Sequence, residues 1–296
     1  MPLGSYAPEF KLRQLDVLQP QLPLDADPSA SLESSPKEKR LPGTLTVVLA
    51  VIAIAAVLFA GYTYIRNESP NKQLTARFWA PLLKSSSQIL MVAGTSHPDK
   101  MVPETESTSF FDHMTGPYHH VSIAIAVAMA NLAGLLRENG TTYEVKEDTE
   151  TSLTDIRARP MILVGALNNA WTMRLVSHLR YRFVNGPTAA IIDTRNPQNS
   201  NWTVDFSRPY ASVGSDYAIV ARFRDPTTEA PVMIIAGLGP YATEAASEFV
   251  VTPQYLSQIG KQLPAGWENG NIELVIKTDV IGSKAGPPVL VATTTW

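Results

Sequence analysis

Hydrophobic and polar positions divide this chain into three regimes. Residues 1–41 are polar and small, and Pro2, Pro8, Pro20, Pro23, Pro28 and Pro36 interrupt them. Each proline fixes φ and removes a backbone donor. The acidic, Ser-rich stretch 25–35 has too little apolar surface to offset its ordering entropy. A disordered tail is therefore expected, with a turn or two of helix at 10–18. Residues 44–65 then read TLTVVLAVIAIAAVLFAGYTYI, 22 residues without a charge. At 1.5 Å per residue that is roughly 33 Å of helix, about one hydrocarbon core. The pattern predicts a single transmembrane helix over 42–66, with the lipid bilayer as partner of 44–65 and Tyr62 and Tyr64 at its aromatic belt. Lys37, Lys39 and Arg40 cluster before it, while Arg66, Lys72 and Arg77 follow at wider spacing. The positive-inside bias then places the tail in the cytoplasm and the C-terminal part outside. Residues 67–76 read as a polar tether.

Residues 77–296 form the third regime, of a length that suits one soluble domain. Short apolar runs at 88–93 and 160–166 suit strands buried on both faces. A helical period covers 120–139, closed by Asn139-Gly140. Residues 142–146 alternate like a strand, and 152–156 suit one helical turn. Residues 169–182 carry Trp171, Leu175, Val176 and Leu179 on one side of a helix, with Arg174, His178 and Arg182 elsewhere. Strands are expected at 188–193 and 202–205. Runs at 217–224 and 231–237 flank Asp225-Pro226-Thr227-Thr228-Glu229, a hairpin signature. Helices at 241–249 and 253–263 precede closing strands at 271–278 and 289–294. Alternating strands and helices followed by hairpins predict a three-layer α/β domain with a mixed, partly parallel sheet.

Composition narrows the function. The chain has 296 residues, no cysteine and a formal net charge of −3. A disulfide framework, a zinc ribbon and a thiol nucleophile each need cysteine. A nucleic-acid footprint needs clustered positive charge, so no nucleic-acid partner is expected. No Gly-x-Ser-x-Gly elbow and no Gly-Lys-Ser/Thr phosphate loop occurs. Ser34 and Lys37 match Ser-x-x-Lys only within the tail. His113, His119 and His120 lack a carboxylate at ligand spacing, so no metal and no cofactor is expected.

In open α/β sheets, ligands bind beyond the carboxyl ends of parallel strands. Three strand-to-helix junctions fit that position: 94–97, 165–172 and 237–244. Each combines a permissive glycine with amide or hydroxyl groups. They nominate Ser96, Asn168, Asn169, Trp171, Tyr241 and Thr243 for a small polar ligand, with Trp171 as a wall. The structural alternative makes Asn169 an N-cap, Trp171 a core residue and the glycines turn residues. Asp193, Arg195, Arg222, Arg224 and Asp225 read as exposed salt bridges near strand ends. Asn67, Asn139 and Asn201 begin glycosylation sequons, which matter only in a eukaryotic lumenal setting.

The blocks RFWAPLL (77–83), RPMILVGALNNAWTMRLVSHLRYRF (159–183), SDYAIVARFRDPTTEAPVMIIAGLGPYATEAASEF (215–249) and NIELVIKTDVIGSKAGPPVLVATTTW (271–296) resemble a group of uncharacterised bacterial single-pass membrane proteins. In that group a similar soluble domain follows one transmembrane helix, and some members carry a winged-helix or other regulatory module before it. The resemblance implies architecture, not activity. This chain departs from the winged-helix arrangement, because its Pro-rich tail does not suit such a domain.

The expectation is thus an inner-membrane protein with a cytoplasmic N-terminus and an extracytoplasmic α/β domain. Its expected role is non-enzymatic: sensing, ligand binding or scaffolding for an envelope protein. No catalytic residue is nominated for that role. The alternative is a cell-envelope hydrolase or transferase using carboxylates such as Asp193 and Glu244 that the fold brings together.

Overall fold

The computed structural model describes residues 43–66, 70–85, 87–95, 120–199, 202–209 and 212–296. By internal contacts the chain divides into two units, Met1–Ala60 and Gly61–Trp296. The expected disordered tail and Ser96 lie outside the described residues.

Helix α1 is Thr44–Arg66. Its described side chains, Val47 to Phe59 and Gly61, are exposed. Among the described residues no helix is long and apolar enough to cross a membrane. This corrects the expected transmembrane helix and the single-pass assignment built on it.

The next helix is α2 (Pro70–Leu83), so residues 70–76 of the expected tether are helical. Pro70 opens the helix, where its missing N–H has no partner to lose. Phe78, Trp79 and Leu82 are its buried face. The chain then runs β1 (Ile89–Ala93), α3 (Ile123–Glu138), β2 (Tyr143–Glu147), α4 (Leu153–Ile156), β3 (Met161–Val164), α5 (Ala170–Val176), β4 (Tyr181–Val184), β5 (Thr188–Asp193) and β6 (Trp202–Asp205). It continues with β7 (Ser215–Asp225), β8 (Ala230–Gly237), α6 (Pro240–Val251), α7 (Pro253–Leu256), β9 (Ile272–Ile281), β10 (Lys284–Ala285) and β11 (Val289–Thr295). Local chemistry sets several boundaries. Ser122 caps α3 by accepting from the Ile125 amide at 3.3 Å. Ser152 and Asp155 form a reciprocal capping box on α4. Gly140, at φ +68°, takes the left-handed turn after α3.

The expected mixed sheet is present. Its order is β10-β9-β7-β8-β3-β1-β2, and β11 also pairs with β9. Strands β2, β1, β3 and β8 are parallel, whereas β7, β9 and β11 are antiparallel to their neighbours. Alternate side chains enter two cores. Ile89, Met91 and Ala93 join α3, α6 and α2 on one face. Leu90 and Val92 join α5 and a separate antiparallel sheet, β4-β5-β6, on the other. The α/β domain is therefore layered on both faces, with a second small sheet in the layer carrying α5.

That small sheet corrects the helix expected over 169–182. The helix stops at Val176, and Tyr181–Val184 pairs with Ala190–Asp193 instead. Tyr181 and Phe183 point into the core while Arg182 and Val184 do not, a period of two.

Candidate functional site

The topology has a switch point between β1 and β3. From β1 the chain leaves through α3 toward β2; β3, on the other side of β1, is followed by α5 on the opposite face. The expected junction residues gather at that crevice and at the next strand. Asn169 caps α5: its Oδ1 accepts from the Thr172 amide at 3.1 Å. Its Nδ2 donates to the carbonyls of Val92 and Val164, each at 3.2 Å. Fully buried, it ties the ends of β1 and β3 together. Asp148 works beside it, accepting from the Thr95 hydroxyl at 2.9 Å and the Ala170 amide at 3.1 Å.

Asn168 is half-buried against two glycines. A Cβ at Gly94 or at Gly165 would meet its Oδ1 at 2.9 or 2.8 Å, which explains both glycines. The Trp171 indole donates to the Thr151 carbonyl at 3.0 Å. At the third junction Tyr241 is buried, and the Thr243 hydroxyl accepts from the Gly237 amide and donates to the Gly239 carbonyl. The structure thus places Asn169, Trp171 and Thr243 in hydrogen bonds that close helices and turns. His113 and His119 lie outside the described residues, and His120 is exposed.

Three of the charges expected on the surface, Asp193, Arg222 and Asp225, are buried. Arg222 is buried, and its guanidinium donates to the carbonyls of Phe78, Trp267, Glu268 and Gly270 at 2.8–3.0 Å. Asp225 is buried in the hairpin, accepting from the amides of Thr227 and Thr228. Asp193 and Glu244 lie on opposite sides of the main sheet, Asp193 in the small sheet and Glu244 on α6.

A different feature has the chemistry of a binding site. Where α5 gives way to β4, a cleft of about 290 Å³ opens, lined by His178, Leu179, Arg180, Arg182, Thr194, Arg195, Thr294 and Trp296. Three arginines and a histidine share this space. Asp193 beside them is engaged: Arg180 holds both its oxygens, at 2.9 and 2.7 Å. That fork keeps the Asp193 carboxyl below its ordinary pKa and raises the guanidinium's. Among the described residues Arg182 anchors only its Nε, on the Leu179 carbonyl at 2.8 Å. The Arg195 amide donates to Asp193 at 3.0 Å. Once Arg180 and Asp193 cancel, Arg182 and Arg195 leave the cleft with surplus positive charge. The available signal was the basic run His178-Leu179-Arg180-Tyr181-Arg182. A helical reading scatters it around an axis; a turn followed by a strand gathers it at one end of the small sheet.

No protein-family model, curated protein or solved structure matches the chain.

Proposed function

We propose that the α/β domain is a non-enzymatic module that binds a small anion in the cleft between α5, β5 and β11. The carrying observation is the convergence of His178, Arg182 and Arg195 on one cleft whose nearby carboxylate, Asp193, is engaged by Arg180. Arginines match carboxylate, sulfate and phosphate groups as planar forks and stay protonated at working pH. Their chemistry is holding and orienting charge rather than transferring protons. Thr194 and Thr294 add hydroxyls, and the exposed Trp296 indole supplies an apolar wall. The cleft volume suits a compact ligand. Its charge balance favours a dianion, which the two uncancelled guanidinium groups would neutralise.

The test is calorimetric titration of the purified chain with sulfate, phosphate and short dicarboxylates. Binding should weaken tenfold or more in Arg182→Ala and in Arg195→Ala, as expected where a charged hydrogen bond is lost. Equal affinity in both variants and the parent would exclude the cleft.

A further inference from the structure

A carboxyl that does not line the cleft lies behind it. Glu273 of β9 is fully buried, and its register partner on β11 is the cleft residue Thr294. Its Oε2 accepts from the Tyr181 amide at 3.1 Å, and the Arg180 amide also donates to the carboxyl. Its Oε1 has no hydrogen-bond partner among the described residues. On the remaining side β7 offers Ala221. The charged and titratable groups around Glu273 are Arg180 and Asp193, with Tyr181 and Arg195 in the same cluster. A glutamine here would accept the same two amides without titrating. A glutamate instead adds a proton equilibrium at the back of an anion site.

We propose that Glu273 is a specificity-determining residue for the cleft: protonated, it leaves the arginines' surplus charge to a bound dianion; ionised, it cancels part of that charge and opposes binding. The proposal rests on the anion-binding reading above. Burial pushes the Glu273 carboxyl up to about 8, against the pull of its two amides and Arg180. It therefore holds its proton at neutral pH and releases it in mildly alkaline solution. Linkage is reciprocal, so a bound dianion strengthens the hold on that proton by the factor that ionisation weakens the dianion.

The probe is sulfate, a dianion throughout this range, titrated at constant ionic strength at about pH 6.5 and about pH 9, either side of the Glu273 transition. A His178→Gln background removes the imidazole's own titration. With Glu273 present, affinity should fall about five- to tenfold at the higher pH. In Glu273→Gln, and in Glu273→Met as a second replacement, each variant's two affinities should agree within about twofold. Equal pH slopes with and without the carboxyl, in binding that still depends on Arg182 and Arg195, would remove the role of Glu273 and leave the cleft. Absence of sulfate binding at both pH values would remove the cleft reading and this inference together.

Discussion

Arg222 of β7 donates to the carbonyl of Phe78 in α2 at 2.8 Å, and the same guanidinium lies 5.6 Å from the centre of the Phe78 ring. One side chain thus joins the first helix of the domain to its central antiparallel strand. Its other nitrogen donates to the carbonyls of Trp267, Glu268 and Gly270, and the Trp267 ring lies 5.4 Å from the guanidinium carbon. Burial lowers the Arg222 pKa to about 10, which leaves the group charged at neutral pH.

Arg222→Lys should therefore be destabilising despite keeping the charge. An ammonium cannot span the carbonyls on both sides, and each lost charged hydrogen bond is worth about 1.5–3 kcal/mol. A loss of about 3 kcal/mol or more in urea unfolding is expected. A loss under about 1 kcal/mol would mean that the fork is not what holds α2.

Asp216 should matter through α6. Its carboxylate accepts from the amides of Gly239 at 3.0 Å and Ala242 at 2.9 Å, closing the start of that helix. Burial raises its pKa, against the opposing pull of these amides. Asp216→Ala should cost about 2 kcal/mol, the upper range for a lost cap. Hydrogen exchange should localise the loss to the first turn of α6; uniform loosening of the whole domain would contradict the assignment.

Two glycines predict opposite signs. At Gly237 a Cβ would stand 2.3 Å from the Thr243 amide nitrogen, so Gly237→Ala should destabilise by several kcal/mol or prevent folding. At Gly134, inside α3, a Cβ meets nothing within 4 Å. Gly134→Ala should stabilise by about 0.5–1 kcal/mol through helix propensity. Thermal melts of the two variants check both directions.

Glu273 also predicts a slope of stability with pH. Below its ordinary value of 4.5 the carboxyl is protonated in both folded and unfolded chains. Between 4.5 and about 8 the unfolded chain has released this proton and the folded chain keeps it, so rising pH favours unfolding. Above about 8 the effect levels off. Glu273→Gln should therefore gain on the parent steadily across that window in denaturant titrations. A constant difference from acid to alkaline pH would mean that the carboxyl titrates normally.

The sequence announces elements whose pattern has one reading. The run at β3 is apolar throughout, and both faces of that strand are buried. The hairpin of β7 and β8 declares itself through Asp225-Pro226, with Asp225 accepting from the turn amides. Asn169 is legible as a cap because a short polar side chain at a helix start reaches a backbone amide. Strand β4 is hidden because Trp171, Leu175 and Leu179 continue a helical period right up to it. Arg222 and Glu273 are hidden for another reason. A lone charge in an apolar strand looks like a strand end, and only the partner carbonyls and amides from distant segments make it an interior group. The cleft joins residues 178–182, 194–195 and 294–296, and no local spacing foretells that meeting.

The docking of α2 also has a consequence for how the molecule is made. Arg77 pairs with Glu268 across 191 residues of chain. At about 5–20 residues per second, a ribosome takes roughly 10–40 s to deliver the second after the first. The apolar side of the opening helix, with Phe78, Trp79 and Leu82, waits through most of that interval for β8, Val250 and α7.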